Sequence, residues 1–314
     1  MAIPYGSSST ATQTSFLIKL DAIEQNNSRF LDVGQCLSLI NRKLMRQLQL
    51  YPVQVEMAYD SSVSNNTEQT WRIECAPNTY MVRQALKFAF ENWLAATADA
   101  RKMTKEARWM DFKLFYNDFH YDQGSKTSFG NLLPNSSVQT LVDYSYSAVS
   151  NTMQWLPTII DSPDTGVDMH YQLFGETDSD EFGILHEYLK SYKLNVASPD
   201  PAQFPAPLDT PYEDAFAQLS EEASYLLASR GASPPYDADN FQINLQTFWI
   251  GIQNMISAAG VAATPSYMQR TSTPWFIAPA GLIQITNQAS TTHTGILRVN
   301  VLHGKDKGIN TGDI

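Results

Sequence analysis

The chain has 314 residues, of which 43% are apolar and 17% charged, as is typical of a globular protein with a sizeable core. Its formal net charge of −11 excludes a protein that holds nucleic acid over its whole surface, because such proteins are basic. No apolar run of about 18 residues and no charged start followed by an apolar stretch occurs, so we expect neither a transmembrane segment nor a secretory signal.

The charge is unevenly distributed along the chain. Residues 1–126 hold 14 Lys and Arg against 13 Asp and Glu, whereas residues 127–314 hold 7 against 19. This asymmetry indicates two faces that meet different partners. The surface is rich in uncharged polar groups, which lose less to desolvation than charges do, so the composition favours extensive contacts with other proteins.

The first segments predict a polar arm and a helix. Residues 6–14, GSSSTATQT, have the composition of a flexible arm, and we expect the arm 1–14 to lie on a neighbouring subunit or beneath the folded body. Asp32 then caps a helix whose cations, Arg42, Lys43 and Arg46, suit the dipole at its end. Apolar residues recur in that helix at Val33, Leu37, Ile40 and Leu44.

Strand and helix patterns alternate in the next hundred residues. Apolar side chains alternate with polar ones over 53–59 and again over 71–75, which predicts two strands that could pair as a hairpin. Asn78 is placed to cap a second helix that runs to about residue 100. Strong strand formers return at 110–121.

The rest of the chain predicts more strands and a Pro-rich insertion. The loop 197–211 holds five prolines and precedes a helix at 212–229, and we expect both to project from the body as an insertion. A further helix is predicted at 180–193. The strand candidates are 138–149, 153–160, 167–174, 241–250, 274–286 and 294–302.

These elements predict a mainly β fold with helical insertions. Helices do not separate the strands one by one, which argues against a parallel doubly wound sheet. About eight antiparallel strands indicate an eight-stranded jelly-roll sandwich; a double jelly roll is the alternative, but it needs about twice as many strands. The predicted organisation is an arm at 1–14 and one domain at 15–314, with helical insertions near 78–103 and 180–236.

No catalytic motif is present, so the sequence does not predict an enzyme. The chain lacks a nucleophile elbow, a phosphate-binding glycine loop, and paired histidines at metal spacing. The five histidines lie in separate segments, and a site assembled from distant residues is the alternative left open. Cys36 and Cys75 are too far apart in sequence for a metal motif, and we expect both to be reduced and buried.

Two charged stretches are candidate sites. Arg101, Lys102, Lys105 and Arg108 either complement the end of the second helix or contact phosphates of a nucleic acid. The acidic residues Asp161, Asp164 and Asp168 either line solvated loops or hold calcium, which prefers several carboxylate oxygens. No other cofactor is expected.

Several segments, taken together, resemble the coat proteins of small environmental viruses with circular single-stranded DNA genomes. They are FLDVGQCLSLINRKLMRQ (30–47), NTYMVRQALKFAFENW (78–93), ARWMDFKLF (107–115), PPYDADNF (234–241) and TPWFIAPAGLIQI (273–285). The resemblance spans most of the chain. It implies a jelly-roll subunit that assembles with its own copies into an icosahedral shell around DNA, found in the virion and in the host cell during assembly.

The chain departs from that family at its start. It lacks the arm rich in Arg and Lys that neutralises a packaged genome, so the resemblance implies that the DNA is held by a separate basic protein or that an internal membrane lies between. The alternative function is a trimeric β-sandwich of a virus or phage spike that binds a receptor or a glycan.

Overall fold

The protein is described by a computed structural model that covers residues 12–58, 69–98, 102, 111–123, 130–134, 155–160, 169–177, 180–195, 245–255, 266–270, 272–288 and 293–314. Strands outnumber helices in it, and the fold is mainly β with several antiparallel sheets, as predicted.

The strands of the first half are β1 (Ser15–Ile23), β2 (Ser28–Asp32), β3 (Leu50–Ala58), β4 (Gln69–Cys75), β5 (Asn131–Leu132), β6 (Ile159–Ile160) and β7 (Met169–Gln172). Those that follow are β8 (Glu181–Gly183), β9 (Gln246–Met255), β10 (Ser266–Arg270), β11 (Phe276–Pro279), β12 (Leu282–Asn287), β13 (His293–Val301) and β14 (His303–Asp306). The helices are α1 (Val33–Asn41), α2 (Tyr80–Ala96), α3 (Asp118–Gln123) and α4 (Ile184–Asn195).

Two large sheets and one small sheet organise these strands. The first sheet has the order β1-β13-β3-β11 and the second has the order β10-β9-β4-β12-β2-β5. Neighbouring strands are antiparallel in both, except for the short parallel pair β2–β5. The third sheet, β6-β7-β8, lies among the segments that follow α2.

The first and second sheets pack face to face around an inner core. Side chains alternate in and out along each strand, so every second residue points between the sheets. From the first sheet these include Phe16, Ile18, Leu20, Tyr51, Val53, Val55, Phe276, Leu297 and Val299; from the second they include Leu31, Trp71, Ile73, Cys75, Ile250, Ile283 and Ile285. This arrangement is a β-sandwich.

An outer core covers the other face of the second sheet. Phe30 and Leu282 point out of the sandwich and contact a layer built from α2, α4, the extended segment 111–116 and the β7 region. The layer contributes Val82, Ala85, Leu86, Trp93, Phe112, Leu114, Tyr116, Tyr171, Leu173, Ile184 and Leu185. The segment 111–116 runs parallel to β7, because Phe115 N donates to Tyr171 O (2.8 Å) and Leu173 N donates to Phe115 O (2.9 Å).

Local signals explain where the helices begin and where the chain changes sheets. Asp32 caps α1 as predicted, its carboxylate accepting from Gln35 N at 3.0 Å. Between β11 and β12 the chain passes from the first sheet to the second through Ala280 and Gly281, with φ values of 56° and 64°. A Cβ on Gly281 would lie 3.0 Å from the ring of Tyr51, so glycine is required there.

The predicted hairpin of residues 53–59 and 71–75 is wrong. The two runs are β3 and β4, but β3 pairs with β13 and β11, while β4 pairs with β12 and β9. They belong to opposite sheets because each buries its apolar side chains against the other across the inner core, which a flat hairpin cannot do.

Further boundaries differ from the prediction. Helix α1 ends at Asn41, before the predicted Leu44, and the predicted strand 274–286 is two strands, β11 and β12. Thr79 caps α2 in place of Asn78, with its hydroxyl accepting from Val82 N, and the helix ends at Ala96. The run 110–121 is not one strand: residues 111–116 are extended, and α3 then begins at Asp118. The helix expected at 180–193 begins at Ile184, after β8.

Several predicted elements lie outside the described residues. They are the start of the polar arm at 1–11, the strand at 138–149, the Pro-rich loop 197–211 and the helix 212–229. Residues 12–14 are described, and they lie against their own chain: Gln13 N donates to Asn41 Oδ1 (2.7 Å), and Val301 N donates to Thr14 O (2.8 Å).

Candidate functional site

A buried polar network joins four segments that are far apart in the sequence. Asp32, at the end of β2, is 0% exposed, and its carboxylate accepts from Gln47 Nε2 (2.9 Å) and from Trp155 Nε1 (2.8 Å) in addition to Gln35 N. Gln47 also reaches the extended segment, accepting from Leu114 N at 2.8 Å and donating to Leu114 O at 3.1 Å.

Two further ionisable side chains border this network. Lys113 is buried, and its ammonium lies 4.6 Å from the centre of the Trp155 ring, on the face of the indole whose N–H binds Asp32. Asp111 is buried two residues earlier. Trp155 is therefore held between an anion at its edge and a cation on its face.

Burial perturbs the pKa of all three groups. Desolvation raises the pKa of Asp32 to about 7, against the opposing effect of its three donors and of Lys113. It also raises the pKa of Asp111 and lowers that of Lys113, although the attraction between these two works the other way. Perturbed ionisable groups gathered in one place are a physical sign of an active site.

Access decides against chemistry at this network. Asp32 is fully enclosed, and donors from the protein itself occupy both carboxylate oxygens. A substrate that bound this carboxylate would have to displace one of these donors. The geometry instead fits a structural cross-link that ties α1, the segment 45–49, the segment 111–116 and Trp155 together.

Two histidines are buried near the outer core. The His120 ring stacks on Phe30 with centroids 4.3 Å apart, and its Nδ1 accepts from Tyr116 N at 3.0 Å. Burial lowers the pKa of His120 to about 3, so the ring is neutral at physiological pH. His170 stacks on Tyr121 with centroids 3.8 Å apart. Both histidine rings therefore pack against aromatic side chains.

The predicted basic and acidic sites lie almost wholly outside the described residues. Lys102 is described and is exposed on a helical segment; Arg101, Lys105 and Arg108 are not described. Asp161, Asp164 and Asp168 also fall outside. In the part of the chain that the structure describes, no cluster of three or more His, Cys, Asp or Glu side chains is arranged to hold a metal ion. Cys36 and Cys75 are free and buried, which confirms that prediction.

A polar strip crosses the outer face of the second sheet beside the outer core. Ser28 and Thr286 share a hydrogen bond of 2.7 Å, and Gln284 Nε2 donates to Ser28 Oγ at 2.9 Å. Further along, Arg72 pairs with Glu74 at 2.9 Å. Trp249 lies opposite Arg72 in the strand register and is 49% exposed, so a large aromatic side chain borders the strip.

An apolar strip marks the outer face of the first sheet. Ile277 lies opposite Pro52 in the β11–β3 pair, and Leu302 N donates to Pro52 O at 3.3 Å, so the three residues adjoin. Leu302 is 37% exposed, and Trp275, directly before β11, is 46% exposed. Exposed apolar side chains that adjoin one another mark a surface for protein contact.

Sequence reasoning did not find the polar network or the two strips. The partners Asp32 and Trp155 are separated by 123 positions, and no local pattern links them. A signal did exist for β1, where Phe16, Ile18 and Leu20 alternate with Leu17 and Lys19 in the manner of a strand with one buried face.

Comparison with known proteins gives no relative: no family model, no curated protein and no solved structure matches the chain. Within the described ranges, no helix has both the length and the apolar character needed to span a bilayer.

Proposed function

We propose that this chain is the coat protein of a DNA virus, a jelly-roll subunit that assembles with its own copies into a closed icosahedral shell. The observation that carries the proposal is the strand order of the two facing sheets. The two facing sheets contain ten strands, and we assign eight of them to the roll, namely β1, β2, β3, β4, β9, β11, β12 and β13.

The pairing of these eight strands supports the jelly roll. Numbered one to eight along the chain, they follow the order 1-8-3-6 in the first sheet and 2-7-4-5 in the second. First pairs with last, second with seventh, third with sixth and fourth with fifth, as in an antiparallel ribbon wrapped into a sandwich of two Greek keys. The strands β5 and β10 extend the edges of the second sheet. The first and last of these strands pair with each other in one sandwich. This pairing favours a single jelly roll over a double one, in which each half of the chain would form its own sandwich.

The filled interior favours a structural role over ligand binding inside the sandwich. Jelly rolls occur in capsids, in lectins and in enzymes that use the space between the sheets. Here Trp71, Tyr51 and Phe16, all fully buried, occupy that space. The function of such a subunit would then depend on its outer surfaces.

The apolar strip supports contact with a second copy of the chain. The strip lies on the outer face of the first sheet, whereas the outer core covers part of the second. Subunit contacts are enriched in aromatic and apolar side chains, and Trp275 and Leu302 fit that composition. We place a contact between subunits at this strip.

The assembly state of the purified full chain tests the proposal. Sedimentation velocity and negative-stain electron microscopy are expected to give closed particles of one or a few sizes. A chain that stays monomeric or trimeric under all conditions, including those with added DNA, would contradict the shell.

A pair of neighbouring substitutions tests the strip separately. Leu302→Glu puts a charge into the apolar strip and is expected to reduce assembly strongly, whereas His303→Glu, at the next exposed position, is expected to assemble like the wild type. Equal assembly of the two variants would remove the strip from the contact without refuting the shell.

Trp249 favours a second candidate, the trimeric spike domain that binds a glycan. An exposed tryptophan beside a strip of hydroxyl, amide and charged groups suits a sugar ring, whose faces are apolar and whose edges are polar. A stable trimer that binds sugars and loses them with Trp249→Ala would favour this candidate over the shell.

A further inference from the structure

Two basic segments from opposite ends of the chain meet on one surface. Arg42, Lys43 and Arg46 follow α1, and Lys305 and Lys307 lie in and just after β14. We call these five residues the basic cluster. All five are exposed, in a chain whose net charge is −11.

Hydrogen bonds fix the two segments together. Lys307 Nζ donates to Leu44 O at 2.6 Å, which joins the second segment to the first. The hydroxyl of Thr12 connects them again, because it donates to Lys307 O at 2.8 Å and accepts from Lys43 Nζ at 3.3 Å. These contacts hold the two basic segments side by side, with Lys43 and Lys307 each bonded across the junction.

Carboxylates offset part of this charge, since Asp111 lies close enough to attract Arg46. Asp306 is the acidic residue within the two segments, and its carboxylate accepts from Thr311 Oγ1 (2.9 Å) and from Gln49 Nε2 (3.2 Å). Over the residues that the structure describes, no ion pair joins Lys43, Arg46, Lys305 or Lys307 to a carboxylate. Gathering like charges costs electrostatic energy, and a bound polyanion would recover it.

The helix dipole does not account for the cluster. Helix α1 ends at Asn41 with Arg42 as its C-cap, and its last turn holds no basic residue. The dipole effect fades beyond the last turn, so Lys43 and Arg46 gain little from it. Lys305 and Lys307 come from a different part of the chain altogether.

We propose that the basic cluster binds the phosphate backbone of single-stranded DNA. This inference rests on the proposed function, in which a shell encloses a DNA genome, and it supplies a contact to that genome on the chain itself. Lys and Arg side chains pair with phosphates without reading sequence, and each contact releases a counterion from the strand. One cluster binds weakly, but many copies in a shell act on one polymer together.

The test compares two variants with the same loss of charge. The cluster variant carries Lys43→Gln, Arg46→Gln and Lys305→Gln; the control carries Lys87→Gln, Lys190→Gln and Arg298→Gln, three exposed cations elsewhere. Lys307 is left intact because its side chain holds the backbone of Leu44. Binding of fluorescein-labelled oligo(dT) is measured by anisotropy from low to physiological salt, and thermal melts verify that each variant folds.

The cluster variant is expected to lose at least about tenfold in affinity, with the slope of log affinity against log salt reduced by about 2. The control is expected to stay within about threefold of the wild type, because distant exposed charges are screened at physiological salt. Equal losses in both variants, or a wild type that does not bind the oligonucleotide, would overturn the proposal. Binding to vesicles containing phosphatidylserine is measured in parallel. A cluster variant that binds the oligonucleotide normally and loses binding only to these vesicles would also overturn the proposal.

Electron microscopy of the same samples separates this inference from the proposed function. If the wild type forms particles and the cluster variant binds DNA normally, the DNA-binding role of the basic cluster is refuted and the proposed shell is not. A wild type that never assembles, but binds DNA through the cluster, supports the cluster and refutes the shell.

Discussion

The inner and outer cores of this protein lie on opposite faces of the same sheet, yet they are built differently. The inner core receives apolar side chains that alternate along the strands of the sandwich. The outer core gathers residues from α2, α4, the segment 111–116 and β7, and buried ionisable groups accompany it, among them Lys113 and His120. The inner core is stabilised by close packing of apolar side chains alone, whereas the outer core also requires hydrogen-bond partners for its buried polar groups.

This difference indicates that the two cores contribute differently to the fold. Apolar packing between the sheets supplies the bulk of the folding free energy and tolerates changes of pH. The polar network around Asp32 adds orientation, since its hydrogen bonds fix α1 against the segments 45–49 and 111–116. Substitutions in each core test whether their contributions to stability differ in this way.

The largest effect is expected from Trp71→Ala in the inner core. Trp71 is fully buried, and its ring lies 3.1 Å from where a Cβ on Gly295 would stand, so its removal leaves a cavity that neighbours cannot fill. Such truncations cost about 3–5 kcal/mol of the free energy of unfolding. Urea denaturation measures the change, with Trp249→Ala as the matched control, because Trp249 is half-exposed and should change stability little.

A slightly smaller loss is expected from Asp32→Ala in the polar network. The substitution removes a helix cap and leaves Gln35 N, Gln47 Nε2 and Trp155 Nε1 without their acceptor. We expect a cost of about 3 kcal/mol, since each unmet buried donor is destabilising. Asp122→Ala, at an exposed position, serves as the control. A loss below about 1 kcal/mol would mean that the network contributes little to stability.

The smallest and most specific effect concerns pH. The folded-state pKa of Asp32, about 7, lies above its ordinary value of about 4, so the stabilisation it contributes is complete below pH 4 and is lost as pH rises through 7. The folded-state pKa of His120, about 3, lies below its ordinary value of about 6.5, so its contribution is complete above pH 6.5 and is lost as pH falls towards 3. The two slopes oppose each other between about pH 4 and 6.5.

Conservative variants separate the two slopes. With Asp32→Asn the free energy of unfolding should rise with pH more steeply than in the wild type, and with His120→Asn it should rise less steeply or fall. Asn at position 120 keeps an acceptor for Tyr116 N, so the fold is preserved. Denaturation series at closely spaced pH values measure both; identical slopes in the three proteins would show that neither group titrates differently on folding.

The sequence predicted what local patterns determine and missed what distant contacts determine. Asp32 as a cap, helix α1 and the strands β3, β4 and β13 follow from spacing alone. The assignment of β3 and β4 to opposite sheets does not, because a short polar link between two strands favours a hairpin until the burial of both faces is known. The basic cluster could not be predicted from the sequence either, because Lys43 and Lys307 are far apart in the chain and become neighbours only in the fold.

The central claim, that this chain is the jelly-roll subunit of a shell around DNA, is tested most directly by cryo-electron microscopy of the purified protein assembled with single-stranded DNA. We predict closed icosahedral particles whose subunits show facing sheets in the order 1-8-3-6 and 2-7-4-5, with the basic cluster directed at the enclosed DNA. A trimer that exposes Trp249 would contradict this claim, whereas a shell whose subunits present Lys43, Arg46 and Lys305 to the outside would refute only the role of the basic cluster.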